Sequence, residues 1–457
     1  MRRVVLVTLL AIALAGLAGC QKPRFETGVE AAGRGDYAAA VRVWRPLAER
    51  GDAPSQYRLG ALYAQGNGVS LDSKEAAKWY RLAAEQGYAE AQHALGGLYA
   101  EGEGVDMDAA EAAKWYLLAA EQGHADAQYD LGEASAKGEG VEAGYAAAAE
   151  WYRRAGTQGH AEAQIRLGAL YEKGLGVEQS YAEASIWWRK AAAQGHAEAQ
   201  ATLGALYEKG LGVPQNYTEA AAWWRQAAEQ GHAEAQTNLG YLYSRGLGVK
   251  RDYGAAADWW RKAAFQGLPA AQSNLGVLFE QGRGVRQSYA EAIRWWELAA
   301  TQDYPDAQHN LAYMYANGQG VPKDYGEAVK WWRLAAQGNL PIAQHYLAVM
   351  HSKGQGVPQS HAEAAKWYRL AAEFGRAESQ LALGILYRNG RGVPGNRVQA
   401  HKWFNLAAAH FPPGEDRANA AARRDRVARG MTAGQIAKAQ RLARDWRPKD
   451  SVSPKTP

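Results

Sequence analysis

Apolar residues in this chain recur at three- and four-residue steps in short bursts separated by small and polar stretches. Ala53, Leu59, Leu62 and Tyr63, with Gln56 and Gly60 between them, place one such stripe on a helix over about 53–64. Gly66-Asn67-Gly68-Val69 interrupts it, and a second stripe follows Asp72. The alternation then repeats. Gly-x-Gly-Val begins at Gly66, Gly102, Gly138, Gly174, Gly210, Gly246, Gly282, Gly318, Gly354 and Gly390, every interval being 36 residues. A fixed period of this length predicts stacked helical hairpins, each burying its apolar face against its neighbours, so that no single hairpin would be stable alone.

The second helix of each period has marked ends. Asp72, Asp108, Gly144, Ser180, Asn216, Asp252, Ser288, Asp324, Ser360 and Asn396 occupy its N-cap. Glu75, Glu111, Glu183, Glu219, Glu291, Glu327, Glu363 and Gln399 stand three residues on, where a reciprocal capping box is expected. Glycine closes the helix at Gly87, Gly123, Gly159, Gly195, Gly231, Gly267 and Gly375, with Asp303 and Asn339 in the other two junctions. Those two residues follow glycine best into left-handed backbone, which makes this a C-cap. Inside the first helix, Gly60 and its equivalents cost about 1 kcal/mol relative to alanine. The demand is for smallness, and Trp79, Trp115, Trp151, Trp187, Trp223, Trp259, Trp295, Trp331, Trp367 and Trp403 are the expected partners. Gln56 and its equivalents through Gln380 are strictly repeated and are expected to form buried links between hairpins.

Composition agrees with a packed, punctuated fold: 47% of the 457 residues are apolar, with 17 tryptophans and a single cysteine. One cysteine excludes an internal disulfide framework, and no His/Cys cluster has zinc-site spacing. The net charge of +5 is concentrated at the ends. Residues 414–457 hold eleven basic and five acidic side chains, so the repeat body lacks the basic stripe that grips nucleic acid. At the start, Met1-Arg2-Arg3 leads into an apolar run from Val4 to Ala18 that is too short to cross a bilayer, ending Leu17-Ala18-Gly19-Cys20. That ending resembles the bacterial lipoprotein box, which implies acylation of Cys20 and stable membrane attachment, with Gln21 favouring the outer membrane.

Ala-x-Ala-Gln-x-x-Leu-Gly-x-Leu-Tyr, Gly-x-Gly-Val and Trp-Trp/Tyr-x-x-Ala-Ala together resemble the Sel1-like repeat family, relatives of the tetratricopeptide repeats. The resemblance implies an all-α fold, an α/α superhelical solenoid of about ten full 36-residue repeats with a leading partial repeat and C-terminal capping helices. The expected organisation is a signal peptide at 1–19, a lipidated tether at 20–24, a partial repeat at 25–50, ten repeats at 51–410, capping helices at 411–446 and a disordered tail at 447–457. Ser135, Phe279 and His351 depart from the tyrosine usual at their position.

Such a solenoid implies an interaction scaffold whose groove is lined by the first helices. On that carry-over the residue before each Leu-Gly pair faces the groove, giving a ladder of Asn238, Asn274 and Asn310, with Tyr241 and Tyr313 one turn along and His309, His345 and Tyr346 beside it. Asparagine ladders can pair with an extended peptide backbone, and tyrosines supply rigid contact area. Doublets at Trp187-Trp188, Trp223-Trp224, Trp259-Trp260, Trp295-Trp296 and Trp331-Trp332 read as core, one ring filling its own hairpin and the other packing on the next. A glycan-stacking platform is the sharper alternative for them. Cysteine-rich relatives linked to β-lactam hydrolysis suggest an enzyme, but their per-repeat cysteines are absent, and no hydrolase or metalloprotease motif stands in a supporting context. The junction histidines His124, His160, His196 and His232 read as structural. The expectation is a non-catalytic scaffold without cofactor or metal, anchored in the cell envelope through lipid on Cys20 and binding protein partners. The alternatives are exopolysaccharide-secretion assembly or cell-wall glycan binding.

Overall fold

The computed structural model describes residues 24–449, which form 24 α-helices and no strand. Residues 1–23, with the expected signal peptide and Cys20, and residues 450–457 of the expected tail lie outside the described residues. Residues 447–449 are described and are not free: the Lys449 backbone N–H donates to Glu373 O at 2.8 Å, and its ammonium lies 2.7 Å from the Glu373 carboxylate.

Two compact units divide at Asn216 and Tyr217. In the first, a leading pair, α1 (Phe25–Gly33) and α2 (Tyr37–Ala48), precedes the hairpins α3 (Ala53–Gln65)/α4 (Ser73–Ala84), α5 (Ala89–Glu101)/α6 (Ala109–Glu121), α7 (Ala125–Lys137)/α8 (Tyr145–Thr157) and α9 (Ala161–Lys173)/α10 (Tyr181–Ala193), followed by α11 (Ala197–Lys209). The second begins with α12 (Tyr217–Glu229) and continues through α13 (Ala233–Arg245)/α14 (Tyr253–Phe265), α15 (Pro269–Gln281)/α16 (Tyr289–Ala300), α17 (Pro305–Asn317)/α18 (Tyr325–Gln337), α19 (Pro341–Lys353)/α20 (His361–Glu373) and α21 (Ala377–Asn389)/α22 (Arg397–His410). It closes with α23 (Glu415–Ala428) and α24 (Ala433–Arg444).

The turns carry out what their residues predict. Gly66 ends α3 in left-handed backbone at φ 68°, and Gly68 follows at φ 70°. A Cβ on Gly68 would stand 2.5 Å from the Tyr37 carbonyl carbon, so the second glycine is required where the turn presses on the start of the preceding hairpin's second helix. Asp303 and Asn339 adopt φ 57° and 60°, the left-handed conformation expected of them.

The N-caps form, but the boxes do not. The Asp72 carboxylate accepts from the Lys74 and Glu75 amides, and the Ser180, Ser288 and Ser360 hydroxyls each accept from one, that of Glu183, Glu291 or Glu363. Glu75, Glu111 and Glu363 turn to Lys78, Lys114 and Lys366 one turn on, at 3.1, 3.0 and 2.5 Å. Their expected target is already taken: the Asp72 amide donates to Tyr63 O at 3.0 Å, and Asp108, Ser180 and Asn396 donate to the carbonyls of Tyr99, Tyr171 and Tyr387 at 2.9 Å. Thr432 and Gln435, before the last helix, do form a reciprocal capping box.

Each repeated glutamine is buried, and most tie three segments together. Gln272 Nε2 donates to Ala264 O at the end of α14 (3.2 Å), while its Oε1 accepts from Gln302, just past α16 (3.0 Å). The same pair of bonds surrounds Gln56, Gln92, Gln128, Gln164 and Gln236. A bond of this kind adds about 0.5–1.5 kcal/mol and would cost more if one partner were stranded.

The aromatic that meets the small residue of the first helix is not the expected one. A Cβ on Gly168, Gly240 or Gly276 would meet Trp188, Trp260 or Trp296 at 3.0, 2.6 and 2.6 Å, and Gly60 and Gly384 face Tyr80 and Phe404. The partner is thus the second aromatic of each doublet. The first lies about 100° round the helix and packs on the preceding hairpin, not the next. Trp295, for example, shares a core with Ala256, Trp260 and Leu275.

Candidate functional site

Asn238, Asn274 and Asn310 lie on α13, α15 and α17, the first helices of three consecutive hairpins of the second unit. Each precedes a fully buried leucine, Leu239, Leu275 or Leu311. One step along a helix rotates a side chain by about 100°, which brings the asparagines to the rim of the packed face, half-buried. Their carboxamides make no hydrogen bond among the described residues, although each offers two donors and an acceptor oxygen. Tyr241 and Tyr313 stand three residues further, on the same side of their helices, 40% and 39% exposed. The Arg245 guanidinium lies 5.6 Å from the Tyr241 ring.

The structure treats the three remaining residues of the predicted groove differently. His309 Nδ1 receives the Trp332 indole N–H at 3.0 Å, and His345 Nδ1 lies 2.9 Å from Ser379 Oγ. Tyr346 stacks on Trp332 with centroids 5.1 Å apart and planes within 6°. These rings form a half-buried cluster between hairpins, with committed nitrogens. Burial first, and then the Arg376 charge, lower both histidine pKa values to about 4, so both rings are neutral at pH 7. Their sequence position faces the second aromatic of the hairpin: where it holds Thr237 or Ser273, Trp260 and Trp296 donate to that residue's backbone carbonyl instead. The sequence signal was available in that alternation, since a polar residue always adjoins the Asn position here.

The tryptophan doublets belong to the interior. Trp187, Trp188, Trp224, Trp260, Trp295, Trp296 and Trp332 are buried and Trp223, Trp259 and Trp331 half-buried, so these rings form no exposed stacking platform. The junction histidines cap first helices: His124, His160 and His232 accept the amides of Ala127, Ala163 and Ala235, each at 3.2 Å.

In the first unit, His93, His124 and Asp126 bring potential metal-ligand atoms within 4.8 Å of one another. Their nitrogens are largely committed. His93 Nε2 is bonded to Asp130 at 2.7 Å, and His124 Nδ1 accepts the Ala127 amide, which puts the proton of its neutral ring on Nε2. Coordination by His124 would displace that proton or break the cap.

A sequence profile described as Sel1 repeat matches residues 53–88, 89–124, 125–160, 161–196, 197–232, 233–268, 269–304, 305–340, 341–373 and 377–410. The crystal structure of c5321, described as a protective antigen present in uropathogenic Escherichia coli strains and displaying an SLR fold, is 35% identical. It matches with a TM-score of 0.83 over 93% of this chain and 94% of that one. A Sel1 repeat protein from Oxalobacter formigenes is 34% identical, with a TM-score of 0.57 over 66% of this chain and 88% of that one. No curated protein matches this chain.

Proposed function

The chain belongs to the Sel1 repeat family, whose members generally mediate protein–protein interactions, and from that premise we propose that it is a non-catalytic scaffold of the cell envelope that holds an extended polypeptide along the asparagine row of its second unit. The observation that carries the reading is the set of unpartnered carboxamides of Asn238, Asn274 and Asn310, repeated in register beside the exposed rings of Tyr241 and Tyr313. A peptide backbone supplies donors and acceptors that such amides can pair in both senses, and tyrosines lose little conformational entropy on contact. His309, His345 and Tyr346 hold the hairpins beside the row rather than contacting the partner.

Crosslinking in intact envelopes tests this with the full chain and with an Asn238→Ala, Asn274→Ala, Asn310→Ala variant. The variant is expected to melt within a few degrees of the parent and to lose captured polypeptide. Equal capture by both would overturn the proposal, and capture of glycan instead of polypeptide would replace the partner class.

The envelope location rests on Leu17-Ala18-Gly19-Cys20. Acylation at Cys20 by more than one chain would hold the protein on the membrane, with the outer membrane of a Gram-negative cell favoured by Gln21. Cys20→Ser is expected to move the protein from the membrane to the soluble fraction; an unmodified Cys20 in the wild-type protein would end the anchoring proposal.

A further inference from the structure

The last hairpin of the second unit carries a helix on a surface that the three hairpins before it leave bare. α24 packs on α22 with Ala439 and Ala443 buried and Ile436 and Trp446 half-buried, a stripe at helical spacing, while Lys438, Arg441 and Arg444 are exposed. Its seat is Trp403 and Leu406 of α22, which share a core with Ala443 and Trp446.

The same seat recurs on α16, α18 and α20. Leu298, Leu334 and Leu370 stand at the Leu406 position, each exposed, with Trp295, Trp331 and Trp367 at the Trp403 position. The tryptophans join the leucines into one row. Trp331 of α18 packs on the core around α16, and Trp367 of α20 packs on the core around α18, so each ring fills the step from one second helix to the next. Trp403 bridges α20 and α22 in the same way, among Ala364, Tyr368 and Leu406. The bare row therefore continues into the seat that α24 covers. Elsewhere the leucine position is closed by a cation: Lys190 and Lys262 lie 4.0 and 4.1 Å from the centroids of the Trp187 and Trp259 rings.

We propose that the row of Leu298, Leu334 and Leu370 binds an amphipathic helix of a partner protein, with small residues at i and i+4 facing the leucines as Ala439 and Ala443 do in α24. Continuity with the α22–α24 contact names the occupant: on the adjoining stretch of one surface, a helix of this composition brings the equivalent leucine to 6% exposure. The chemistry of the row selects the same class. Leucine and tryptophan faces supply no partners for backbone amides, so an extended segment laid on them would strand its N–H and C=O groups, whereas a helix satisfies its own. This surface lies on second helices and the asparagine row on first helices, so the inference goes beyond that reading and stands without it.

A fluorescence-anisotropy titration of the full chain with a labelled peptide of residues 432–449, a separate copy of α24, is the test. The peptide should bind saturably. Leu298→Lys, Leu334→Lys and Leu370→Lys together install the side chain that α10 and α14 carry at this position. That triple variant should melt within a few degrees of the parent and bind the peptide at least about ten-fold more weakly. Leu334→Lys alone interrupts the row at its centre and should weaken binding at least about three-fold. An Ala439→Pro peptide, broken in mid-helix, should bind at least about ten-fold more weakly than the unaltered one. The Asn238→Ala, Asn274→Ala, Asn310→Ala variant should bind as the parent chain does. The proposal is overturned if the peptide fails to saturate, or if the proline peptide binds equally well. Undiminished binding by either leucine variant would place the peptide on the intact Leu406 seat, and loss of binding by the asparagine variant would place it on the asparagine row; each overturns the assignment.

Discussion

Gln344 is the odd member of the glutamine series, and it shows how much a single side chain decides. Its Nε2 donates to Ala336 O at 3.3 Å, but its Oε1 is buried without a partner, because Phe374 stands where other hairpins place the donating glutamine. Phe374→Gln should therefore stabilise the fold by about 0.5–1.5 kcal/mol, read as a higher urea midpoint at unchanged slope. Loss of stability would mean that the phenylalanine packs better than the missing bond is worth. The histidines set a second residue-scale expectation. His309 and His345 titrate at about 4 when folded against the usual 6.5 of a solvated imidazole, so between those values the unfolded chain binds more protons. Stability should rise with pH through that window and fall as pH drops from 6.5 toward 4, by about 1.4 kcal/mol per unit for each ring. His309→Asn keeps an acceptor for the Trp332 indole and should flatten the slope between pH 4.5 and 6 in denaturant titrations. An unchanged slope would show that His309 is solvated when folded.

At the scale of the helix, the glycine–aromatic contact makes a prediction that runs against intrinsic propensity. Alanine is the better helix former by about 1 kcal/mol, yet a methyl on Gly240 would approach the Trp260 ring to 2.6 Å, and overpacking of this kind costs about 1–3 kcal/mol. Gly240→Ala should lower the melting temperature, while Gly240→Ala with Trp260→Phe should recover part of the loss. Recovery absent, the two positions do not form the contact. The small residue and the aromatic were each legible in the sequence, but their pairing was not, because Trp259 and Trp260 are both large and only their 100° separation on α14 distinguishes them. N-caps and left-handed glycines were legible for the opposite reason, being local chemistry. The capping boxes failed as predictions because the Asp72 and Asp108 amides are satisfied nine residues upstream, by first-helix carbonyls that no local motif reveals. In the candidate site, helical spacing sufficed to find the asparagine row. It could not show that His309 and His345 spend their nitrogens on Trp332 and Ser379.

A stack of hairpins leaves an apolar face at its end, and in the second unit the last hairpin, α21/α22, meets the two closing helices there. Trp403 and Leu406 of α22 share a core with Ala443 and Trp446, Phe404 packs with Val427, and Ala407 and Ala408 pack with Phe411 and Ala420. The contrast with an uncovered position is direct: Leu298, Leu334 and Leu370 occupy the site equivalent to Leu406 on earlier second helices and are 44%, 42% and 38% exposed, whereas Leu406 is 6% exposed. Stability in such an array is carried by intrinsic terms and nearest-neighbour interfaces, so removing the cover acts first on the hairpin beneath it. Ending the chain after His410 should expose Trp403 and Phe404, increase binding of a hydrophobic dye and accelerate amide exchange in α21 and α22. Amides of α13 to α16, several interfaces away, should keep their protection. Uniform loss of protection through the second unit would instead show that its hairpins unfold as one cooperative block, and unchanged exchange in α22 would show that the closing helices contribute nothing to the stability of the face they cover.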